Sequence, residues 1–278
     1  MYKLGFHCNR LNHIHEGIIT NALRRGEFYN FPAEELPLLR KEIHRYNILS
    51  SIHAPLVRPE WYPDPPTWSF LCDTEKEKRE LSLRMIRETL EIAGEYNAEY
   101  VVVHFPSPIT DGESRDYSQL KAIAMESCYC LHKLVDRYCM PIHIEGFGPS
   151  PFLNTDFLNE VFSLFHNLRY CFDLGHMNLA AERREVDLYE FGHGIKTYIG
   201  SIHLWNNRGI EDYRQFRHIP VHPSQQSKQG WVDVEAVLNE IGEVAHSIIF
   251  ESSHQYPELL GKYDYRDGVQ WVKQMVTA

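Results

Sequence analysis

The segment YVVVHFP, residues 100–106, decides the fold, because a run of β-branched residues ends on a histidine followed by an aromatic residue and proline. Such a run is typical of a parallel strand that is buried on both faces. Comparable runs with a histidine or carboxylate near their ends are SSIHAPL (50–56), PIHIEGF (141–147), YCFDLGH (170–176), SIHLW (201–205) and SIIFESS (247–253). A buried strand does not normally end on a charge, so we expect these ends to converge on one site.

Strands and helices alternate along the whole sequence. Eight strands are predicted, at residues 3–7, 27–31, 49–53, 100–104, 141–145, 169–173, 200–204 and 247–251. Helical patterns lie at residues 33–46, 75–96, 116–138, 155–166, 186–197, 234–244 and 265–275. Eight strands that alternate with helices in 278 residues are typical of a (β/α)8 barrel. We therefore predict an α/β fold with a single TIM-barrel domain over residues 1–278.

The composition narrows the class of partner and compartment. The net charge of −10 makes the surface repel phosphate backbones, which disfavours broad nucleic-acid binding. The sequence contains no apolar stretch long enough for a signal peptide or a membrane span, so a soluble cytoplasmic protein is predicted. The six cysteines form no CxxC pair, which indicates free thiols in a reducing compartment.

Two connections are longer than the others and follow strand ends. They are residues 56–70, which are rich in proline and aromatic side chains, and residues 206–229, which are polar. Long loops in compact domains tend to be functional, and barrel enzymes carry their chemistry at the carboxyl ends of the strands. Both loops are therefore expected to lie over the mouth of a barrel active site.

Four strand ends carry the side chains Glu145, Asp173, His203 and Glu251. Three carboxylates buried together would repel one another or take up protons, at a cost of several kcal/mol. A divalent cation removes this cost, and imidazole with carboxylate suits zinc or manganese. The sequence therefore predicts a metal site here, with zinc preferred and manganese as the alternative.

Further histidines extend this prediction in two directions. His53 and His104 end the two strands before Glu145, which could then bridge two metals; alternatively, they bind substrate or orient Glu145. His176, His218 and His222 could form another zinc site, although loop histidines beside prolines are often only solvated.

These motifs resemble those of the xylose-isomerase-like barrel superfamily and, within it, the endonuclease IV type of apurinic/apyrimidinic endonuclease. The resemblance covers nearly the whole chain and is carried by HAP (53–55), HFP (104–106), Glu145, DLGH (173–176), HL (203–204), RH (217–218) and Glu251. It implies that His53, His104 and Glu145 hold one zinc, that Glu145, Asp173, His203 and Glu251 hold a second, and that His176 and His218 hold a third. The family has an aspartate where this chain has Phe216.

The resemblance implies a multi-zinc phosphoester hydrolase acting on a small phosphorylated substrate or on damaged DNA. Arg217, His176 and His218 would stabilise the leaving oxygen, and Glu251 would act as a base toward water. The alternative, also found in the superfamily, is a single-metal sugar or sugar-phosphate isomerase or epimerase that uses Glu145 and Glu251 as its acid/base pair. Such enzymes generally lack the equivalents of His53 and His104, which therefore favour the hydrolase.

Overall fold

The eight predicted strands form a closed parallel barrel, in sequence order, in a computed structural model that describes residues 3–105, 116–146, 150–184, 186–252 and 257–277. The strands are β1 (Leu4–Cys8), β2 (Arg25–Phe28), β3 (Leu49–His53), β4 (Ala98–His104), β5 (Ile142–Glu145), β6 (Leu168–Asp173), β7 (Ile199–Leu204) and β8 (Ser247–Phe250). Each pairs in parallel with the next, and β8 closes on β1. The predicted TIM barrel is confirmed.

Helices connect the strands, and all seven predicted helices are present. The α-helices are Leu11–His13, Leu36–Tyr46, Lys76–Ala93, Tyr117–Tyr138, Thr155–Leu164, Leu174–Arg184, Leu188–Ile195, Ile210–Phe216, Val234–Ile241, Pro257–Leu260 and Tyr265–Thr277. A π-helix spans Ile14–Ile19, and short 3-10 turns lie at Ala33–Glu35, Gly94–Tyr96, Lys196–Tyr198 and Ser227–Gln229. Within the described ranges, no helix combines the length and the apolar character needed to cross a membrane.

Side-chain caps explain where several helices begin. Asp116, Asn154 and Asp233 each accept a hydrogen bond from a backbone N–H in the first turn of the helix that follows. Such a cap satisfies a donor that has no partner inside the helix. Two helical segments end at Asn47 and Asn97, which adopt the left-handed conformation that asparagine tolerates.

The prediction for β2 was wrong by several residues. The strand covers Arg25–Phe28 rather than residues 27–31, and the chain turns at Asn30, which has a φ of 45°. Aromatic residues after Glu27 attracted the prediction, but Tyr29 and Phe31 lie beyond the strand. Because of this shift, Glu27 pairs in register with His7 and Ser51 instead of opening the strand.

Polar side chains occupy the inside of the barrel below the strand ends. Glu27 and Ser51 form one hydrogen-bonded pair, at 3.2 Å, and Tyr100 donates to Glu27 over 3.4 Å. His143 stacks on Tyr100 with a ring separation of 4.0 Å. We call this set the interior polar layer; its members are all buried and comprise Glu27, Ser51, Tyr100, His143, Ser201 and Ser247.

Candidate active site

The Glu145 carboxylate lies at the centre of the converging strand ends and is only 1% exposed. Its oxygens are 3.1 Å from Nε2 of His53, 3.4 Å from Nε2 of His104 and 3.4 Å from Nδ1 of His203. Strands β3, β4, β5 and β7 therefore bring one carboxylate and three imidazoles together, as expected from the strand-end pattern.

The first group at this site is the carboxylate cluster, made of Glu145, Asp173, His203 and Glu251. One ligand atom from each of the four lies within 4.8 Å of the others. Nδ1 of His203 is 3.0 Å from Glu251, 3.4 Å from Glu145 and 3.8 Å from Asp173. Yet among the described residues neither this nitrogen nor Oε2 of Glu251 has a partner in hydrogen-bonding geometry. Donor atoms that converge without bonding to one another fit a divalent cation.

The pKa shifts of the carboxyl groups in the carboxylate cluster also indicate that the ionised groups are stable only beside positive charge. Burial, together with the negative charges of Glu145 and Glu251, raises the pKa of Asp173 well above its ordinary value. Burial alone would also raise the pKa of Glu145, but the His104 and His203 imidazoles outweigh it and lower that pKa. Three carboxylates in one buried site thus depend on nearby cations, which a bound metal would supply.

The second group is the imidazole pair, His53 and His104. Nδ1 of His53 lies 3.3 Å from the Ala54 carbonyl oxygen, and Nδ1 of His104 lies 2.6 Å from that of Thr67. A carbonyl only accepts, so Nδ1 is the donor in each ring and a neutral ring presents a lone pair at Nε2. Both Nε2 atoms face the Glu145 carboxylate, which also only accepts. Two acceptors facing each other repel unless a cation lies between them or each ring carries a second proton at Nε2.

The predicted third group is assembled only in part. His176 and His218 are neighbours, with ring centroids 5.5 Å apart. His222 instead contacts Ser224 at 2.7 Å and Asp267 at 3.7 Å, and it is not among the pocket-lining residues that include His176 and His218. Phe216, at the position of the family aspartate, packs against the buried cluster Ile219, Trp231, Leu259 and Tyr263. No metal-binding group containing His176 or His218 occurs among the described residues.

Trp205 supports this site and was missed at the sequence level. Its indole Nε1 donates to Oδ2 of Asp173 over 2.8 Å, while Oδ1 of Asp173 accepts from the His176 backbone N–H over 2.6 Å. The indole also stacks on His218, 4.2 Å away. Gly175 leaves room for it, since a Cβ there would lie 2.1 Å from the indole. The only sequence signal was a tryptophan two residues after His203.

A pocket of about 340 Å³ opens above the carboxylate cluster and the imidazole pair. Its lining residues are His7, Tyr29, His53, Thr67, Trp68, His104, His176, Tyr213, Arg217, His218 and Glu251. Thr67 and Trp68 come from one predicted long loop and Arg217 and His218 from the other, so both loops border the mouth as expected. The volume is at the lower end of the range for small-molecule sites.

Arg217 lines this pocket in an unusual backbone conformation. Its φ of 59° lies in the left-handed region that favours glycine, and such conformations concentrate at functional sites. Its guanidinium lies 5.3 Å from the centre of the Tyr213 ring.

His176, which also lines the pocket, is neutral near pH 7, because burial lowers its pKa to about 3.

Solved structures with the same fold include several sugar epimerases. A D-tagatose 3-epimerase-like protein is 18% identical, with a TM-score of 0.73 over 99% of this chain and 97% of that one. A 3-keto-D-glucoside 4-epimerase from E. coli is 14% identical, with a TM-score of 0.70 over 99% of this chain and 100% of that one. An IolI protein with a bound zinc atom is 14% identical, with a TM-score of 0.69 over 99% of this chain and 96% of that one. A search of curated protein sequences found no significant match.

At these identities the likeness shows the fold alone. By name, two of the three are an epimerase or an epimerase-like protein, and none is an endonuclease. Independently, the family model described as "Xylose isomerase-like TIM barrel" matches residues 16–275. The chain therefore belongs to the xylose isomerase-like TIM barrel family.

Proposed function

We propose that this protein is a divalent-metal-dependent isomerase or epimerase of a small keto sugar. The observation that carries the proposal is the carboxylate cluster, in which Nδ1 of His203 faces three carboxylates without bonding to any of them. Epimerases with the same fold support the choice of reaction. A divalent ion bound there would polarise the substrate oxygens next to the carbon that exchanges its proton.

The two glutamates would form the acid/base pair. Glu251 lines the pocket, where Nδ1 of His7 and Nδ1 of His218 each lie 3.5 Å from its Oε1. We assign Glu251 the removal of a proton from the carbon beside the substrate carbonyl. Glu145, held deeper by the imidazole pair, would return a proton from the other side.

The rest of the pocket would position the sugar. Arg217 and His218 present hydrogen-bond donors from one loop, and Trp68 presents a 41% exposed ring from the other. A planar ring suits the apolar face of a sugar, while the donors suit its hydroxyl or phosphate oxygens. This arrangement is compatible with a free or a phosphorylated sugar.

A second candidate is a two-metal phosphoester hydrolase, which the imidazole pair favours. His53, His104 and Glu145 also place one ligand atom each within 4.8 Å. Two ions sharing Glu145 could activate water and stabilise a leaving oxygen. In this case His53 and His104 would be ligands, whereas in the isomerase they would only hold Glu145 in place.

The deciding experiment follows proton exchange. Protein loaded with Zn²⁺ or Mn²⁺ is incubated in D₂O with a panel of ketopentoses, ketohexoses and their phosphates, and NMR detects deuterium at carbon and any epimer. We expect metal-dependent exchange that Glu251→Gln lowers at least about 100-fold, with exposed Glu190→Gln as the matched control. Absence of exchange together with hydrolysis of bis(p-nitrophenyl) phosphate would replace the isomerase by the hydrolase.

A further inference from the structure

Glu27 on β2 is a fully buried carboxylate directly beneath the carboxylate cluster. Its exposure is 0%, and its Oε1 lies 2.8 Å from Nε2 of His203, which is also fully buried. The angle of this contact falls outside hydrogen-bonding geometry, but neither atom has another hydrogen-bond partner among the described residues. Oε1 of Glu27 is therefore a close acceptor for a proton on Nε2 of His203, and Cys171 is a further buried neighbour of this imidazole.

The second oxygen of Glu27 is occupied separately. Ser51 and Tyr100 both donate to Oε2, over 3.2 Å and 3.4 Å. The Tyr100 hydroxyl in turn lies 2.5 Å from Oγ of Ser247. The interior polar layer thus fixes the plane of the carboxyl group and directs Oε1 upward to His203. Burying a carboxylate is costly unless it is paired, so a role through His203 accounts for its presence.

We propose that Glu27 is a positioning residue that keeps the ring proton of His203 on Nε2 and so leaves Nδ1 free to bind the divalent ion. A neutral imidazole carries one proton, and the ring nitrogen that bears it is set by the partner of that nitrogen. An acceptor at Nε2 directs the lone pair of Nδ1 toward Glu145, Asp173 and Glu251. The inference rests on the metal site of the proposed function.

This arrangement differs from that of the imidazole pair. His53 and His104 contact neutral backbone carbonyls with their far nitrogens, whereas His203 contacts a carboxylate. A charged acceptor makes the imidazole a stronger metal ligand and holds its orientation more firmly. Glu27 would therefore set the metal affinity of the carboxylate cluster specifically.

The test compares metal affinity in Glu27→Gln and wild type. The amide keeps the size of the side chain and removes its charge. We expect Zn²⁺ and Mn²⁺, titrated against a competing chelator, to bind about 10- to 100-fold more weakly, and the visible spectrum of the Co²⁺-loaded protein to change. The matched control is Glu190→Gln, the same substitution at an exposed position, which should change the affinity less than about threefold.

The outcomes separate this inference from the proposed function. A purely structural Glu27 would lower the unfolding free energy of the variant but leave metal affinity and the Co²⁺ spectrum unchanged, which overturns the inference. A wild-type protein that binds no divalent ion overturns the proposed function as well. If Glu27→Gln does not fold, the ¹⁵N shifts of His203 in wild type decide: a proton on Nε2 supports the inference, and a proton on Nδ1 overturns it.

Discussion

The two halves of the barrel mouth hold their imidazoles in different ways. In the carboxylate cluster, His203 is backed by the buried Glu27 from within the barrel and faces three carboxylates. In the imidazole pair, His53 and His104 are backed by carbonyls of the chain that follows β3, at Ala54 and Thr67. The first half is thus anchored inside the barrel, and the second in the chain segment that follows β3.

This difference predicts an order of metal binding. The carboxylate cluster offers the larger negative charge and a more constrained imidazole, so it should bind the first ion. The imidazole pair brings no charge of its own and shares Glu145 with the other half. A second ion there would be weaker and more sensitive to the loop, and the four predictions below test this contrast.

The largest effect is expected from Glu145→Gln, because Glu145 belongs to both halves. The amide is a poor metal ligand and cannot accept a proton as a base. The ion of the carboxylate cluster and any ion at the imidazole pair should therefore be lost, and activity should fall at least about 1,000-fold. Metal content of the purified protein and proton exchange with the sugar panel measure this. Glu190→Gln is the control, and a variant that keeps one tightly bound ion would contradict the shared role.

Low pH should lower the free energy of unfolding through His143, a residue of the interior polar layer that lies beneath both halves of the mouth. Burial lowers the pKa of His143 from 6.5 to about 3, so the folded protein keeps the ring neutral while the unfolded chain protonates it below about pH 6.5. Stability from this residue is complete above that pH and falls as the pH drops toward 3, by at most about 3 kcal/mol at pH 4. Urea unfolding of metal-free protein at pH 7.5 and pH 4 measures the loss.

The matching variant for this test is His143→Phe, which keeps a ring against Tyr100 but cannot take up a proton. Its unfolding free energy should depend less on pH than that of wild type. Equal pH dependence in the two proteins would show that His143 does not contribute.

Trp205→Phe should affect one half only. Phenylalanine keeps the stacking on His218 but cannot donate to Asp173, so the carboxylate cluster should bind its ion about tenfold more weakly. Binding at the imidazole pair should not change. Titration against a chelator measures both affinities, with Trp231→Phe as the control in a separate cluster. Equal weakening of the two affinities would mean that Trp205 acts on the whole mouth.

The smallest effect is expected from Ser69→Ala, in the loop half. The Ser69 hydroxyl donates to the His104 carbonyl over 2.5 Å, and losing one buried hydrogen bond costs about 1 kcal/mol. A second ion at the imidazole pair should bind a few-fold more weakly, and the first ion should be unaffected. Isothermal titration with Zn²⁺ resolves the two steps, and a change confined to the first ion would reverse the proposed order.

The barrel and most of its converging side chains were predictable because strand ends can be recognised from local pattern. The seven strands other than β2 have apolar residues close to their carboxyl ends, so these ends were placed within one residue, including those at His104 and Asp173. The strand β2 has the sequence Arg-Gly-Glu-Phe and contains no apolar run, so the prediction shifted toward Phe31. That shift hid Glu27, because a residue at the start of a strand does not lie near the mouth.

Contacts between distant segments were less predictable. His222 seemed to belong with His176 because both follow strand ends, but the helix Ile210–Phe216 and the chain after it carry His222 to Asp267. Trp205 is the kind of residue expected in any core, and only its geometry shows that its N–H meets Asp173. Such contacts depend on how loops pack, which no local pattern records.

The position of Glu145 in both groups has an evolutionary consequence. Replacing His53 and His104 would remove one group of ligands and leave the four residues of the other in place. Two point substitutions, without any change of backbone, would therefore separate a barrel suited to two ions from one suited to a single ion. Lineages with this scaffold could cross between hydrolytic and isomerising chemistry by small steps, each of which preserves a working metal site.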